Sequence, residues 1–120
     1  MTRARPLVLV FDDDLVRRPD FLGGLPARFV YCPHADQAED DVVGHDPDLV
    51  LMDFAMGAVR NGVDAVRALR LRSPELAIVG ISSDARMNRL MLEAGATVAV
   101  VKMALPDEFH SVVQYARRAP

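Results

Sequence analysis

Five short, nearly continuous apolar runs constrain this chain more than any other feature: Leu7–Phe11, Arg28–Tyr31, Leu49–Met52, Leu76–Ile81 and Thr97–Val101. Val, Ile, Leu and Phe dominate them. Runs of this length without alternation suit strands buried on both faces, as in a parallel sheet. Helical spacing fills the gaps. Met87, Leu90, Met91 and Ala94 fall at i, i+3, i+4 and i+7, as do Phe109, Val112, Val113 and Ala116. Val63, Val66 and Leu69 make a shorter stripe, and Ala35, Ala38 and Val42 a weaker one. The Met-rich stripe reads as core. Asn61 is placed to cap a helix, Gly95 to end one, and Pro106 to open the last, with Asp107 and Glu108 in its first turn. Alternating strands and helices predict an α/β sandwich around a parallel sheet. The segment from Asp14 to Arg28 fits less well. Pro19, Gly23, Gly24 and Pro26 oppose a long helix, so a short or broken first helix is expected there.

The chain has 120 residues, of which 51% are hydrophobic, which suits one domain over 1–120 with a core of its own. A net charge of −3 gives no global attraction to nucleic acid. The Arg3/Arg5, Arg17/Arg18 and Arg117/Arg118 clusters read as solvated ends. A single cysteine, Cys32, forms no internal disulfide, and a cytoplasmic location is expected. No apolar run is long enough to span a membrane. The N-terminal apolar run ends in three acids, which marks a core strand rather than a signal peptide.

Chemistry-bearing residues gather just after the apolar runs. Asp12, Asp13 and Asp14 follow the first, Asp53 the third, Ser82 and Ser83 the fourth, and Lys102 the fifth. In an open parallel sheet these positions share the carboxyl edge. Converging carboxylates repel one another, and a hard divalent cation such as Mg²⁺ relieves the repulsion. A carboxylate can also attack phosphorus to form an aspartyl phosphate, while a lysine and a hydroxyl hold the phosphoryl oxygens.

Four segments, VLVFDDD, DPDLVLMDFAM, IVGISSDA and GATVAVVK with ALPDEF after it, together resemble the receiver domain of response regulators from end to end. The resemblance implies a doubly wound, flavodoxin-like five-stranded sheet in the order 2-1-3-4-5. It implies that Asp53 is the phosphoacceptor, with Ser82 and Lys102 binding the phosphoryl group. It implies a Mg²⁺ site of Asp13, Asp12 through water, Asp53 and the Ala55 carbonyl. A sensor histidine kinase or phosphotransfer protein would be the donor. The output would be a conformational change toward a protein target, with neither nucleic acid nor membrane bound by this domain.

The chain departs from the family pattern at several points. Met56 is followed by Gly57 where the family has proline, and the loop to Gly62 is about one residue longer. Met103 replaces the proline that follows the lysine in a cis bond, so a trans path or a different turn is expected. Ser83 replaces alanine and narrows the approach to Asp53. Ala99 stands where the fifth strand carries the aromatic of the family's output switch. The readout is therefore expected in the Gly57–Gly62 and Lys102–Pro106 loops and at the start of the helix near Asp84–Met87.

Other residues have plainer readings. Asp14 reads as a helix N-cap. Asp46 and Asp48 flank Pro47 as solvated turn residues, and Glu39-Asp40-Asp41 as an exposed helix face. His34, His45 and His110 lack partner spacing, and Cys32 reads as a packing residue. VLVFDDDLV also resembles the first motif of haloacid-dehalogenase-like phosphatases, with Asp12 as nucleophile and Asp14 as acid–base. That reading leaves Asp53 unexplained and finds only Asp107 and Glu108 after Lys102 for a second acidic site. A receiver-like interaction module that works without phosphorylation is the other alternative.

Overall fold

The computed structural model describes residues 5–56 and 59–116. Five strands, β1 (Leu7–Phe11), β2 (Arg28–Cys32), β3 (Leu49–Met52), β4 (Ile78–Ser82) and β5 (Val98–Val101), pair in the order β2-β1-β3-β4-β5. Every pairing is parallel. Among the described residues three α-helices connect successive strands from β2 onward, α1 (Ala38–His45), α2 (Gly62–Arg72) and α3 (Ala85–Ala94), and α4 (Leu105–Val112) follows β5. The parallel sheet is the one the apolar runs predict, and its doubly wound order is the one the family resemblance implies.

The strands divide by position. β1, β3 and β4 are buried throughout, whereas the edge strands β2 and β5 are half-exposed. An edge strand lacks one neighbour, so equal burial of all five runs was not attainable. β4 and β5 also begin slightly later than their apolar runs. Thr97 leaves the strand so that its hydroxyl accepts from the Ile78 N–H at 3.1 Å and from Arg70 at 3.2 Å.

One sheet face packs Val8, Val10, Leu51 and Ile81 against Phe109 and Val112 of α4. The opposite face packs Leu9, Phe11, Val50 and Met52 against α1, α2 and Met91 of α3. On the first face the segment after β1 holds no α-helix. It makes two single-turn 3₁₀ helices, Leu15–Arg17 and Pro19–Phe21, as its prolines and glycines dictate. Leu15 and Leu22 are nonetheless fully buried, so the core contact of a helix survives without its backbone.

The expected caps form. Asn61 Oδ1 accepts from the Asp64 N–H at 2.9 Å, and Gly95 ends α3 at φ 122°. Other readings are corrected. Asp48 is buried rather than solvated: its Oδ2 accepts from the Leu7 N–H at 2.8 Å. The β1–β3 ladder begins one residue later, at Val8, so the carboxylate closes its open end. Glu39 is half-buried and pairs with Arg60, so only part of the acidic run faces solvent. In α3 the inward pair is Asn88 and Met91, while Leu90 is 41% exposed. Cys32 packs at the end of β2, where burial, aided by Asp41, pushes its thiol up to about 11 and makes it a poor nucleophile. The Arg3 and Arg117/Arg118 readings lie outside the described residues.

Candidate functional site

The site forms where β1, β3, β4 and β5 end. Asp12 directly follows β1 and is fully buried. Its Oδ1 accepts from the Asp14 N–H at 2.8 Å and the Leu15 N–H at 2.9 Å. Asp12 therefore does the capping expected of Asp14. The Asp14 side chain makes no cap bond and turns outward to pair with Arg18. Asp12 is thus held rigidly at the strand end with only Oδ2 facing the site.

Asp53 follows β3 and is 5% exposed. Its Oδ1 accepts from the Phe54 N–H at 2.9 Å, and its Oδ2 accepts from Lys102 Nζ at 3.3 Å. Lys102 reaches across from the end of β5, and Nζ also lies 2.8 Å from Asp12 Oδ2, an ion pair without hydrogen-bond alignment. One ammonium thus bridges two buried carboxylates. Asp13, half-buried, completes the acidic group: one oxygen from each of Asp12, Asp13 and Asp53 lies within 4.8 Å of the others.

Like charges at that spacing repel by roughly 3 kcal/mol per pair at a protein's effective dielectric. The consequence is visible at Asp53. Burial, reinforced by Asp12 and opposed by Lys102, pushes its carboxyl up to about 6. Burial works against the Lys102 ammonium, but the two carboxylates outweigh it and hold its pKa above the ordinary value. Three carboxylates against one ammonium, all hard oxygen donors, form a set that fits a small divalent cation such as Mg²⁺.

Asp13, Asp53, Ala55, Ser82, Asp84 and Lys102 share one open cleft of about 530 Å³. Ser82 ends β4 and is buried, and its Oγ accepts from the Asp84 N–H at 3.1 Å. Asp84 in turn caps α3 by accepting from the Arg86 N–H at 2.8 Å. Ser83 lies on the cleft wall. Every candidate residue proposed from the sequence thus reaches the same carboxyl edge.

Three supporting features escaped the sequence reading. Gly62 opens α2 so close to Asp53 that an added Cβ would sit 2.2 Å from the Asp53 carbonyl oxygen. Only glycine permits that approach. Arg60 fastens the loop after β3 to the start of α1: its N–H donates to Asp36 at 3.0 Å, and its guanidinium pairs with Glu39. A third, Asn88, lies beneath Ser82. A lone Gly, Arg or Asn carries no distinctive spacing, so nothing along the chain marked them.

The family model of the response regulator receiver domain matches residues 21–114. The chain belongs to that family. The matched span includes Asp53, Ser82 and Lys102 and begins downstream of Asp12 and Asp13. Solved receiver structures share the fold. The response regulator domain of Thermotoga maritima CheB aligns with a TM-score of 0.76 at 17% identity, covering 97% of this chain and 98% of that one. A CheY-like receiver domain protein from Methanospirillum hungatei gives 0.76 at 16% identity, covering 92% of each. NtrX from Brucella abortus gives 0.78 at 23% identity; 94% of this chain is covered, but only 27% of NtrX. A search of curated protein sequences returned no match.

Within this receiver domain the loop after Lys102 takes a different turn from the family's cis-proline path. No cis peptide occurs among the described residues, and Lys102–Ala104 form a 3₁₀ turn that runs directly into α4. Gly57, the residue after Met56, lies outside the described residues. No helix among the described residues is long and apolar enough to cross a membrane.

Proposed function

We propose that this receiver domain, taken as one unit over 1–120, accepts a phosphoryl group on Asp53 from a phosphohistidine donor. Such a donor would be a sensor histidine kinase or a phosphotransfer protein in the cytoplasm. A carboxylate oxygen of Asp53 attacks phosphorus as the phosphorus–nitrogen bond of the donor imidazole breaks. The electron pair leaves on nitrogen, which then takes a proton. The product is an acyl phosphate on Asp53. Lys102 neutralises the incoming phosphoryl oxygens, and Ser82 donates its hydroxyl to them. Asp12, Asp13, Asp53 and the Ala55 carbonyl would hold Mg²⁺, which supplies charge neutralisation between carboxylates and phosphate.

The observation that supports this reading is the arrangement around Asp53. It is a nearly buried carboxylate beside two further acids and bonded to one lysine, with its cleft open to solvent. The phosphatase alternative draws no such support. It needs Asp12 as nucleophile, and Asp12 is fully buried with Oδ1 committed to two backbone N–H groups. Its acid–base, Asp14, points away from the site toward Arg18.

Intact mass after treatment with a small acyl phosphate tests the proposal. We expect one added phosphoryl group with Mg²⁺, none with chelator, and none in Asp53→Asn. Absence of any adduct with Mg²⁺ at neutral pH would instead favour an interaction module that works without phosphorylation.

A further inference from the structure

Asn88 is a polar side chain on the inner face of α3, and only 6% of it is exposed. Its Nδ2 donates to the Val100 carbonyl at 3.1 Å and to the Ser82 carbonyl at 3.4 Å. Its Oδ1 is buried and has no hydrogen-bond partner. The amide's orientation follows from its neighbours, since a flip would set Oδ1 against two carbonyl oxygens. One side chain thus ties α3 to the ends of both β4 and β5.

The helix sits close to the sheet at this place. Gly80 of β4 and Ala99 of β5 are register partners, and a Cβ added to Gly80 would lie 3.0 Å from Met91 Cε and 3.3 Å from Met91 Cβ. Two small residues side by side let α3 close down, which brings Asn88 within reach of the strand carbonyls.

We infer that Asn88 is the positioning residue that couples the Ser82 end of β4 to β5 and α3, in a chain with no ring at Ala99 to do so. The inference rests on the phosphoacceptor reading of Asp53. Ser82 Oγ accepts from Asp84, which leaves its own hydrogen to donate. An anionic group on Asp53 attracts that O–H across the cleft. When Ser82 moves, its carbonyl moves with it. The 3.4 Å bond to Asn88 is at the limit of hydrogen bonding and breaks before the 3.1 Å bond to Val100. An amide with a buried, unpaired oxygen has reason to reorient once one of its donor bonds loosens. Asn88 is thus an element with two arrangements that a phosphoryl group distinguishes. α3 is freed from β4 while still held to β5.

The chain has two asparagines and two glutamines, so few side-chain amide pairs crowd its ¹⁵N NMR spectrum. The full chain is titrated with Mg²⁺ and beryllofluoride, a mimic of the acyl phosphate. We expect the backbone amides of Phe54 and Ser83 to shift, and the Asn88 side-chain pair to shift with them, while those of Gln37 and Gln114 stay in place. In Asn88→Ala the Phe54 and Ser83 response should persist and the shifts of Val100 and Val101 should shrink severalfold. An unmoved Asn88 pair beside shifting Phe54 and Ser83 amides overturns the coupling alone. So does an undiminished Val100 response in Asn88→Ala. If that variant fails to fold, the Asn88 pair of the wild-type chain decides. Silence at Phe54 and Ser83 in the wild-type chain overturns the phosphoacceptor reading, and the coupling with it.

Discussion

At the ends of β1, β3 and β5 the receiver domain concentrates charge, with three carboxylates around one ammonium. Between β4, β5 and α3 it places a single neutral amide among small and apolar residues. Both clusters are buried and both join separate strands, yet they are built on different physics. The charged cluster depends on residue type, because only carboxylates and an ammonium supply its ligands and its field. The amide cluster depends on fit, because Asn88 bonds two carbonyls only where Gly80 and Ala99 let the helix approach. pH should separate the two: the first cluster titrates and the second does not.

Lys102→Met should have the largest effect. It leaves Asp12 and Asp53 buried without their cation, and we expect a loss of about 3 kcal/mol in urea unfolding at pH 7 with chelator present. The Lys102 ammonium is held above its ordinary pKa, so its contribution is whole at neutral pH and is lost only in strong alkali. At pH 5 Asp53 is largely protonated, so the loss should be smaller there. An equal loss at both pH values would mean that the lysine acts by packing rather than charge.

Asp53→Asn should move stability the other way. The folded carboxyl titrates at about 6, above the ordinary aspartate value of roughly 3.9. The native state therefore holds the extra proton between those values, and stability falls as pH rises through that window. The penalty is absent below about pH 4 and complete above about pH 6. The variant should gain roughly 2–3 kcal/mol at pH 7 in chelator and nothing at pH 4. A pH-independent gain would show that neither burial nor Asp12 raises the Asp53 carboxyl.

The smallest effect should come from Asn88→Ala. It removes two hydrogen bonds but also an unpaired buried oxygen, so we expect a loss near 1 kcal/mol. It should be the same at pH 5 and pH 7 by thermal or urea unfolding. A pH-dependent loss would show that the amide senses the charged edge directly, and the contrast between the two clusters would fail.

Much of this was legible along the chain. The five apolar runs located the strands among the described residues, and the prolines and glycines after Asp14 predicted a short or broken first helix, where the structure has two 3₁₀ turns. That Asp53, Ser82 and Lys102 meet at one place was legible because strand ends in a parallel sheet share one edge, whatever the residues between them. Legibility ended where a role depends on a neighbour distant in sequence. Asp48 read as a solvated turn acid because its partner, the Leu7 N–H, lies on another strand. Asp14 read as the cap because it precedes the turn, but the site-facing Asp12 takes the bonds. Leu90 read as core because periodicity gives the apolar face only to within a residue or so, and the close seating of α3 turned Asn88 inward instead.

The strand and helix succession, the acidic edge and the family are readable along the chain, because residue type and local spacing carry each of them. That Lys102 bridges Asp12 and Asp53, that Gly62 must lack a Cβ, and that Asn88 joins β4, β5 and α3 emerges in the folded arrangement alone. Those are consequences of distance across the fold. Distances between side chains on different strands are set by how closely the layers pack, which no local pattern encodes.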